Sequence, residues 1–265
     1  MAEKPSLFAS GRRDKICDLV SQRGECTVAE LSEALGVSGM TIRRDLQYLA
    51  EHGKIIRTHG GATKTERVSF EFSFLYRIRE NLREKEAIAG VAAALVQDSQ
   101  SILLDSGTTT LALAKQLRSK TSLTVITTSL PIAAELQNDT QIRVLVLGGY
   151  LRPASPDLYG AVTELTLESL HAEYAFLGAD AIDENGDVYN RSPEVARLLQ
   201  KMAAAADRVF VVADHTKLGK RALAKFGSLR EWAGLITDRS GSPGLIAALR
   251  GAGVRVTMAP ASKIS

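Results

Sequence analysis

The sequence predicts an α/β protein in which a larger domain, built on a mostly parallel sheet, follows a small module of short helices. Three observations predict this. Two short helical patterns separated by Leu35-Gly36-Val37-Ser38 occupy residues 27–51, and a short β-like stretch ending in Gly60-Gly61 follows them. Seven short apolar runs then recur at 102–104, 123–127, 142–147, 174–177, 209–213, 235–237 and 254–258, most of them separated by helical stretches; that alternation is the mark of a parallel sheet with helices on its faces. The chain of 265 residues is long enough to give each part its own core. The expected division is a module over 1–65, a linker over 66–81 and a domain over 82–265.

In the module, Thr27 and Glu30 have the spacing of a reciprocal helix cap, and Leu31, Ala34 and Leu35 supply the apolar face. Gly36 falls where a helix end favours a left-handed backbone, and Ser38 is placed to cap the next helix. There Ile42, Leu46 and Leu49 form one buried stripe, which turns Met40, Arg43, Arg44 and Gln47 outward. Arginine suits guanine edges and phosphate oxygens, glutamine suits adenine, and Thr41 adds a phosphate contact, so this face is equipped for a major groove. Gly53 is a C-cap candidate. Residues 55–59 read as a strand and Gly60-Gly61 as the turn of a small wing that lays Arg57 and His59 against the neighbouring backbone or minor groove. The net charge of +3 is too small to identify a nucleic-acid binder, yet residues 36–64 hold Arg43, Arg44, Lys54, Arg57 and Lys64 against Asp45 and Glu51. The candidate DNA-facing set is Ser38, Met40, Thr41, Arg43, Arg44, Gln47, Arg57 and His59. A winged domain that binds protein or RNA is the competing reading of the same pattern.

Residues 66–81 carry Phe70, Phe72, Phe74, Leu75 and Tyr76, too aromatic for a flexible tether, and read as a docking linker able to couple the two parts. A helix is expected over 82–97. In a parallel sheet, ligands bind beyond the carboxyl ends of the strands. The first strand is followed by Asp105, Ser106, Gly107, Thr108, Thr109 and Thr110, with a helix expected from about Leu111, so hydroxyls and amides converge on a helix N-terminus. Later strand ends offer Thr128-Ser129, Gly148-Gly149, Gly178 to Asp180, and Asp214 to Lys217. The threonines supply donors for an anion, Lys217 or Arg152 the charge, and Asp105, Asp180, Glu194 and Asp214 acceptors for hydroxyls; Asp105 and Asp214 equally suit plain helix caps. Glu194 and Lys201 share one face of a helix opening at Pro193, where pairing with neighbours is the commoner outcome. Trp232 reads as packing.

Cys17 and Cys26 lie near no further ligands and read as reduced thiols, so no metal and no cofactor is expected. No apolar run approaches a membrane span and the first residues lack a signal-peptide core, which points to a cytoplasmic protein.

The run Leu-Gly-Val-Ser, Thr-Ile-Arg-Arg-Asp-Leu and His-Gly-Gly-Ala, within residues 8–63, resembles the DeoR-type bacterial transcription regulators. The resemblance implies a winged helix-turn-helix in which Thr41, Arg43 and Arg44 begin the recognition helix and Gly39 and Met40 vary with base specificity. The larger domain is similar to the sensor domain of that family through Asp105 to Thr110, Gly148-Gly149 and Asp214 to Lys217; it departs at Ala181, where the family commonly has glycine. This resemblance implies a fold like ribose-5-phosphate isomerase and recognition of a phosphorylated sugar or sugar derivative. The expected protein is a repressor of carbohydrate genes that binds double-stranded operator DNA as a homo-oligomer, dimer or tetramer, because one module touches too few bases. The resemblance favours release of DNA by the effector. The alternative is a sugar-phosphate isomerase with an attached DNA-binding module, but no nucleophile and base pair stands out.

Overall fold

Short apolar segments and strong local caps set the elements of both parts. The computed structural model describes residues 9–51, 54–63, 74, 77–152 and 155–260. The chain divides into two compact units, Met1–Arg77 and Ile78–Ser265.

In the smaller unit, α1 spans Ala9–Arg23, β1 Glu25–Thr27, α2 Val28–Leu35, α3 Gly39–Glu51, β2 Ile56–Arg57 and β3 Gly61–Thr63. The cap of α2 is reciprocal: the Thr27 hydroxyl accepts from the Glu30 amide at 3.2 Å, and the Glu30 carboxylate accepts from the Thr27 amide at 2.6 Å. Those donors hold the Glu30 carboxyl below the usual range. Gly36 ends the helix with φ 65°, which gives a sharp turn into α3. Ile16, Val20, Leu31, Ile42, Leu46 and Leu49 close one core beneath the three helices. The sheet order is β1-β3-β2, antiparallel throughout. Three expectations change here. Ala34 is exposed, so Leu31 alone of its trio is fully buried. The wing strand is only Ile56–Arg57, with Thr58 and His59 already in the turn. The strand β1, unanticipated, pairs with β3 so closely that a side chain on Gly61 would overlap the Cys26 carbonyl. Gly53, Lys64 and most of the 66–81 linker lie outside the described residues.

The larger unit begins with α4 (Leu82–Leu95), β4 (Ser101–Leu104), α5 (Thr108–Gln116), β5 (Leu123–Thr127), α6 (Leu130–Leu136) and β6 (Ile142–Val146). A hairpin of β7 (Tyr150–Leu151) and β8 (Leu158–Tyr159) leads to α7 (Ala161–Leu167) and β9 (Ala172–Leu177). Next come β10 (Ala181–Ile182), β11 (Asp187–Asn190), α8 (Pro193–Ala204) and β12 (Ala206–Val212). The chain closes with β13 (Ala224–Ser228), β14 (Gly234–Thr237), α9 (Pro243–Gly251) and β15 (Val256–Met258). The seven apolar runs are the seven strands of one sheet, in the order β15-β14-β12-β9-β4-β5-β6, and every neighbouring pair is parallel. The chain starts at β4, winds out through β5 and β6, then crosses back to add β9 on the other side of β4. The winding direction therefore reverses between β4 and β9, and the carboxyl ends of these two strands are where an open sheet of this kind ordinarily places its ligand crevice. A second sheet, β10-β11-β13, is antiparallel. Two helix boundaries shift: α4 stops at Leu95, and α5 starts at Thr108, which puts Thr108 to Thr110 in its first turn and not in a loop. Ala181 pairs with Tyr189 as ordinary strand, so its place needs no glycine. Among the described residues no helix is long and apolar enough to cross a membrane.

Candidate functional site

Two surfaces carry the predicted residues, one on each unit. On the smaller, Ser38 caps α3: its hydroxyl accepts from the Thr41 amide at 3.3 Å and lies 3.0 Å from the Thr41 hydroxyl. Met40, Arg43, Arg44 and Gln47 project from α3 into solvent, while Thr41 is half-buried. Arg57 and His59 on the wing are also exposed. Arg57 donates to the Gln47 carbonyl at 3.2 Å, so wing and helix present one face. Asp45, which looked like an acidic residue in that basic stretch, points the other way. It is 2% exposed and is held by Arg12 at 2.5 Å and Arg13 at 2.9 Å, with the Arg13 guanidinium 3.5 Å over the Tyr48 ring. Removing Asp45 from the surface leaves Arg43, Arg44 and Arg57 less diluted than the sequence suggests. Cys17 and Cys26 are free thiols, and burial pushes both pKa values up, which disfavours the thiolate.

On the larger unit, the loop after β4 and the start of the loop after β9 meet across the crevice. The Gly178 amide donates to Asp105 at 3.0 Å, and the Ser106 amide donates to the other carboxylate oxygen at 2.6 Å. Burial pushes the Asp105 pKa up to about 6 against these two donors, and the nearby Asp157 adds to the rise. The Ser106 hydroxyl donates to Asp157 at 2.9 Å, and Arg152 grips Asp157 with its Nε and Nη2 at 2.8–3.0 Å. A chain of contacts thus runs Gly178, Asp105, Ser106, Asp157, Arg152. Thr128 and Ser129 join it through the backbone, since the Leu158 amide donates to the Thr128 carbonyl and Ser129 bridges Asp157. The Thr128 hydroxyl is fully buried and has no hydrogen-bond partner among the described residues.

Asp157 was not foreseen. Pro153 and Pro156 mark a turn in the sequence, and a hairpin there sets Arg152 opposite residue 157; only the arginine drew attention because the aspartate is followed by no helix pattern.

The remaining predicted residues are spread along the same end of the sheet or turned inward. Thr110 is buried and donates to the Asp105 and Gly107 carbonyls, and Thr109 is buried as well, whereas Gly107 and Thr108 stay half-exposed. Gly148 accepts from Thr163, and Gly149, at φ 152°, leaves no room for a side chain beside Thr163 and Tyr159; the glycine pair seats α7. Asp180 accepts from the Arg191 amide at 2.9 Å. Glu194 accepts from the Ser192 hydroxyl at 2.6 Å and is exposed, and Lys201 pairs with Glu168 at 2.7 Å. Asp214 is buried and caps the short turn before Lys217 by accepting from Thr216. The side chain of Lys217 is half-exposed at the end of β12. Two clefts lie apart from this network: one of about 330 Å³ between α4 and α5, which Thr108 borders, and one of about 580 Å³ beside α9. Among the described residues no group of three His, Cys, Asp or Glu side chains is arranged to hold a metal.

A three-helix unit with a β-wing and an outward basic face, joined to an α/β unit with a polar crevice, defines the class of helix-turn-helix regulators with a sensor domain. Comparison with known proteins makes this specific. Residues 12–68 match the DeoR-like helix-turn-helix domain and residues 80–239 match the DeoR C terminal sensor domain. The HTH-type transcriptional regulator GolR of Listeria innocua is 36% identical over 253 residues, covering 96% of this chain and all of that protein. The putative aga operon transcriptional repressor of Escherichia coli O157:H7 is 33% identical over 258 residues, covering 97% and 96%. An uncharacterised regulator of Bacillus subtilis, YulB, is 35% identical over 257 residues, covering 97% and 99%. The chain belongs to the DeoR family of transcriptional regulators, and that membership makes it a regulator and not an enzyme. Among solved structures, ribose 5-phosphate isomerase A of Methanocaldococcus jannaschii overlaps 52% of this chain and 55% of its own, at 19% identity and a TM-score of 0.39.

Proposed function

We propose that this regulator is a repressor of carbohydrate genes whose larger unit binds a phosphorylated sugar or sugar derivative at the crevice between β4 and β9, and whose smaller unit reads operator DNA. The observation that supports this best is the hydrogen-bonded rim at the point where the sheet reverses its winding. It brings Ser106, Arg152, Thr128, Ser129 and Gly178 together around the carboxylates of Asp105 and Asp157; the groups it holds for an anion are the Thr128 hydroxyl, unpartnered among the described residues, and, once freed from Asp157, the Arg152 guanidinium. Arg152 is already neutralised by Asp157, so an arriving phosphate competes with that carboxylate, and the exchange gives the ligand a differential hold on one arrangement of the loops. Asp180, Glu194, Asp214 and Lys217, at neighbouring strand ends, are the candidates for reading hydroxyls. On the DNA side the set remains Ser38, Met40, Thr41, Arg43, Arg44, Gln47, Arg57 and His59, with the arginines on base edges or phosphates. One relative is described as the repressor of an operon, and repression released by the effector is the mode proposed for this chain.

The test is a thermal-shift screen of the full chain over aldose and ketose phosphates, the free sugars and inorganic phosphate, followed by operator titrations with the best stabiliser. A ligand at about 100 times its Kd adds about 2.7 kcal/mol to stability, and operator affinity should fall in its presence. If no phosphorylated sugar stabilises the protein, or if operator affinity is the same with and without it, the reading fails. Arg44→Ala should lose operator affinity and lower the salt dependence by about one phosphate contact while keeping the thermal shift.

A further inference from the structure

Among the described residues of the larger unit, nine large apolar side chains are left exposed and six of them lie together: Leu145 and Val146 of β6, Tyr150 and Leu151 of β7, and Val162 and Leu165 of α7. They are continuous in space. The chain passes from β6 through Leu147-Gly148-Gly149 directly into β7, Thr163 of α7 donates to the Gly148 carbonyl, and the Tyr150 ring packs against Gly160 at the start of α7. Single exposed apolar residues are ordinary, but a contiguous set of this size marks a contact surface. Tyr150 is 74% and Leu165 65% exposed.

The strand β6 is the last in its sheet, and among the described residues nothing pairs with its outer edge. Leu145 and Val146 are successive, so they point to opposite faces, and both are open. An unpaired edge flanked by apolar residues on both faces is the kind of edge that folded proteins ordinarily cover or blunt with charge. The edge strand carries one charge, the exposed Arg143, on the same side as Leu145, and the neighbouring carboxylates are paired. Asp157 is taken by Arg152, Glu164 by Arg197 at 2.8 Å and Glu168 by Lys201 at 2.7 Å, so covering the face leaves no carboxylate stranded.

We infer that the face formed by the outer edge of β6, the β7–β8 hairpin and α7 is where a second copy of this chain docks. An edge strand meets its own copy antiparallel about a twofold axis with the same residues on both sides, which is the geometry of an isologous interface. Six half-exposed large side chains amount to several hundred Å², the scale of the apolar centre of an interface that buries about 800 Å² per partner. Pairing also supplies the second reading module that operator recognition needs.

The same hairpin faces the crevice, for Tyr150 and Leu151 precede Arg152 directly and Asp157 reaches Ser106. This added link rests on the proposed effector site: a ligand that draws Arg152 from Asp157 moves a segment shared with the interface. The interface itself does not rest on it.

Sedimentation equilibrium of the full-length chain without ligand tests the interface. The wild-type chain should be at least dimeric at micromolar concentration. Val162→Glu and Leu165→Glu, each on the solvent side of α7, should weaken association about 100-fold, since each substitution enters the interface twice, while the melting behaviour of the dissociated chain stays cooperative. Leu223→Glu, at an equally exposed leucine elsewhere, should change nothing. A monomeric wild-type chain overturns the proposal, and so does an oligomer that both α7 variants leave intact. The link to the effector is read separately, by adding the best sugar phosphate and measuring the association constant again; an unchanged constant removes the link and leaves the interface standing.

Discussion

Asp105 gives up its hydration on folding and regains two backbone donors, from Ser106 and Gly178, with a pKa near 6 against a usual 3.8. The sign of its effect on stability follows from linkage. Because the folded state holds the proton more tightly, the contribution is neutral below about pH 3.8, declines as the unfolded carboxyl ionises, and settles near pH 6 at a cost of about 3 kcal/mol. In urea unfolding between pH 4 and 7 the wild-type chain should lose stability relative to Asp105→Asn as pH rises, whatever the slope the oppositely shifted carboxyls give to both; a difference that stays constant with pH would show that Asp105 does not titrate in this range. At Arg152 the expectation runs the other way. Removing its guanidinium leaves the buried Asp157 carboxylate without its counter-charge, so Arg152→Ala should cost about 3 kcal/mol. Lysine offers no fork and should restore only part of that loss. These residues also show what a sequence reveals of a candidate site. Asp105, Ser106, Gly178 and Arg152 were visible because strand ends in a parallel sheet are where ligands gather. Asp157 was not, because its importance comes from a hairpin that folds it back over β4, and Thr110 was misjudged because its hydroxyl turns to the carbonyls of its own helix start.

At the scale of elements, the seven parallel strands stood out in the sequence since buried strands are continuous apolar runs bounded by helices. The β10-β11-β13 sheet did not. Its strands are Ala-Ile, Asp-Val-Tyr-Asn and Ala-Lys-Phe-Gly-Ser, too short or too polar for a period of two to register, and they are held by tertiary pairing that no local pattern announces. The same holds for β1, three residues that exist because β3 lies beside them. The helix α7 depends on Gly149 in a comparable way. A methyl group there meets the Tyr159 carbonyl and the Thr163 hydroxyl, and its backbone angle is one that side chains disfavour. Gly149→Ala should therefore destabilise the chain by about 1–3 kcal/mol and raise hydrogen exchange first in α7 and the β7–β8 hairpin. Loss of protection confined to α9 would show that the glycine does not seat α7.

For the whole molecule, specificity and control both depend on number. A single winged unit offers a handful of side chains to DNA, so a duplex with one half-site should bind much more weakly than one with two half-sites about 34 Å apart or a multiple of it. Fluorescence anisotropy with both duplexes measures the difference, and equal affinity would mean that one reading head suffices. Control requires that the effector prefer one state, because a ligand with equal affinity for both moves no equilibrium however tightly it binds.

The arrangement of the central strands has a last consequence, for how the protein comes into being. Asp105 and Gly178, which close the crevice, are 73 positions apart, and β9 can take its place beside β4 only after β5, β6 and α7 have been made. Pairings between such distant segments form late and slowly. A nascent chain still short of Leu177 already holds the helices of the smaller unit but lacks β9 and the Gly178 side of the proposed pocket, so the smaller unit's core can close before the central pairing of the larger one exists.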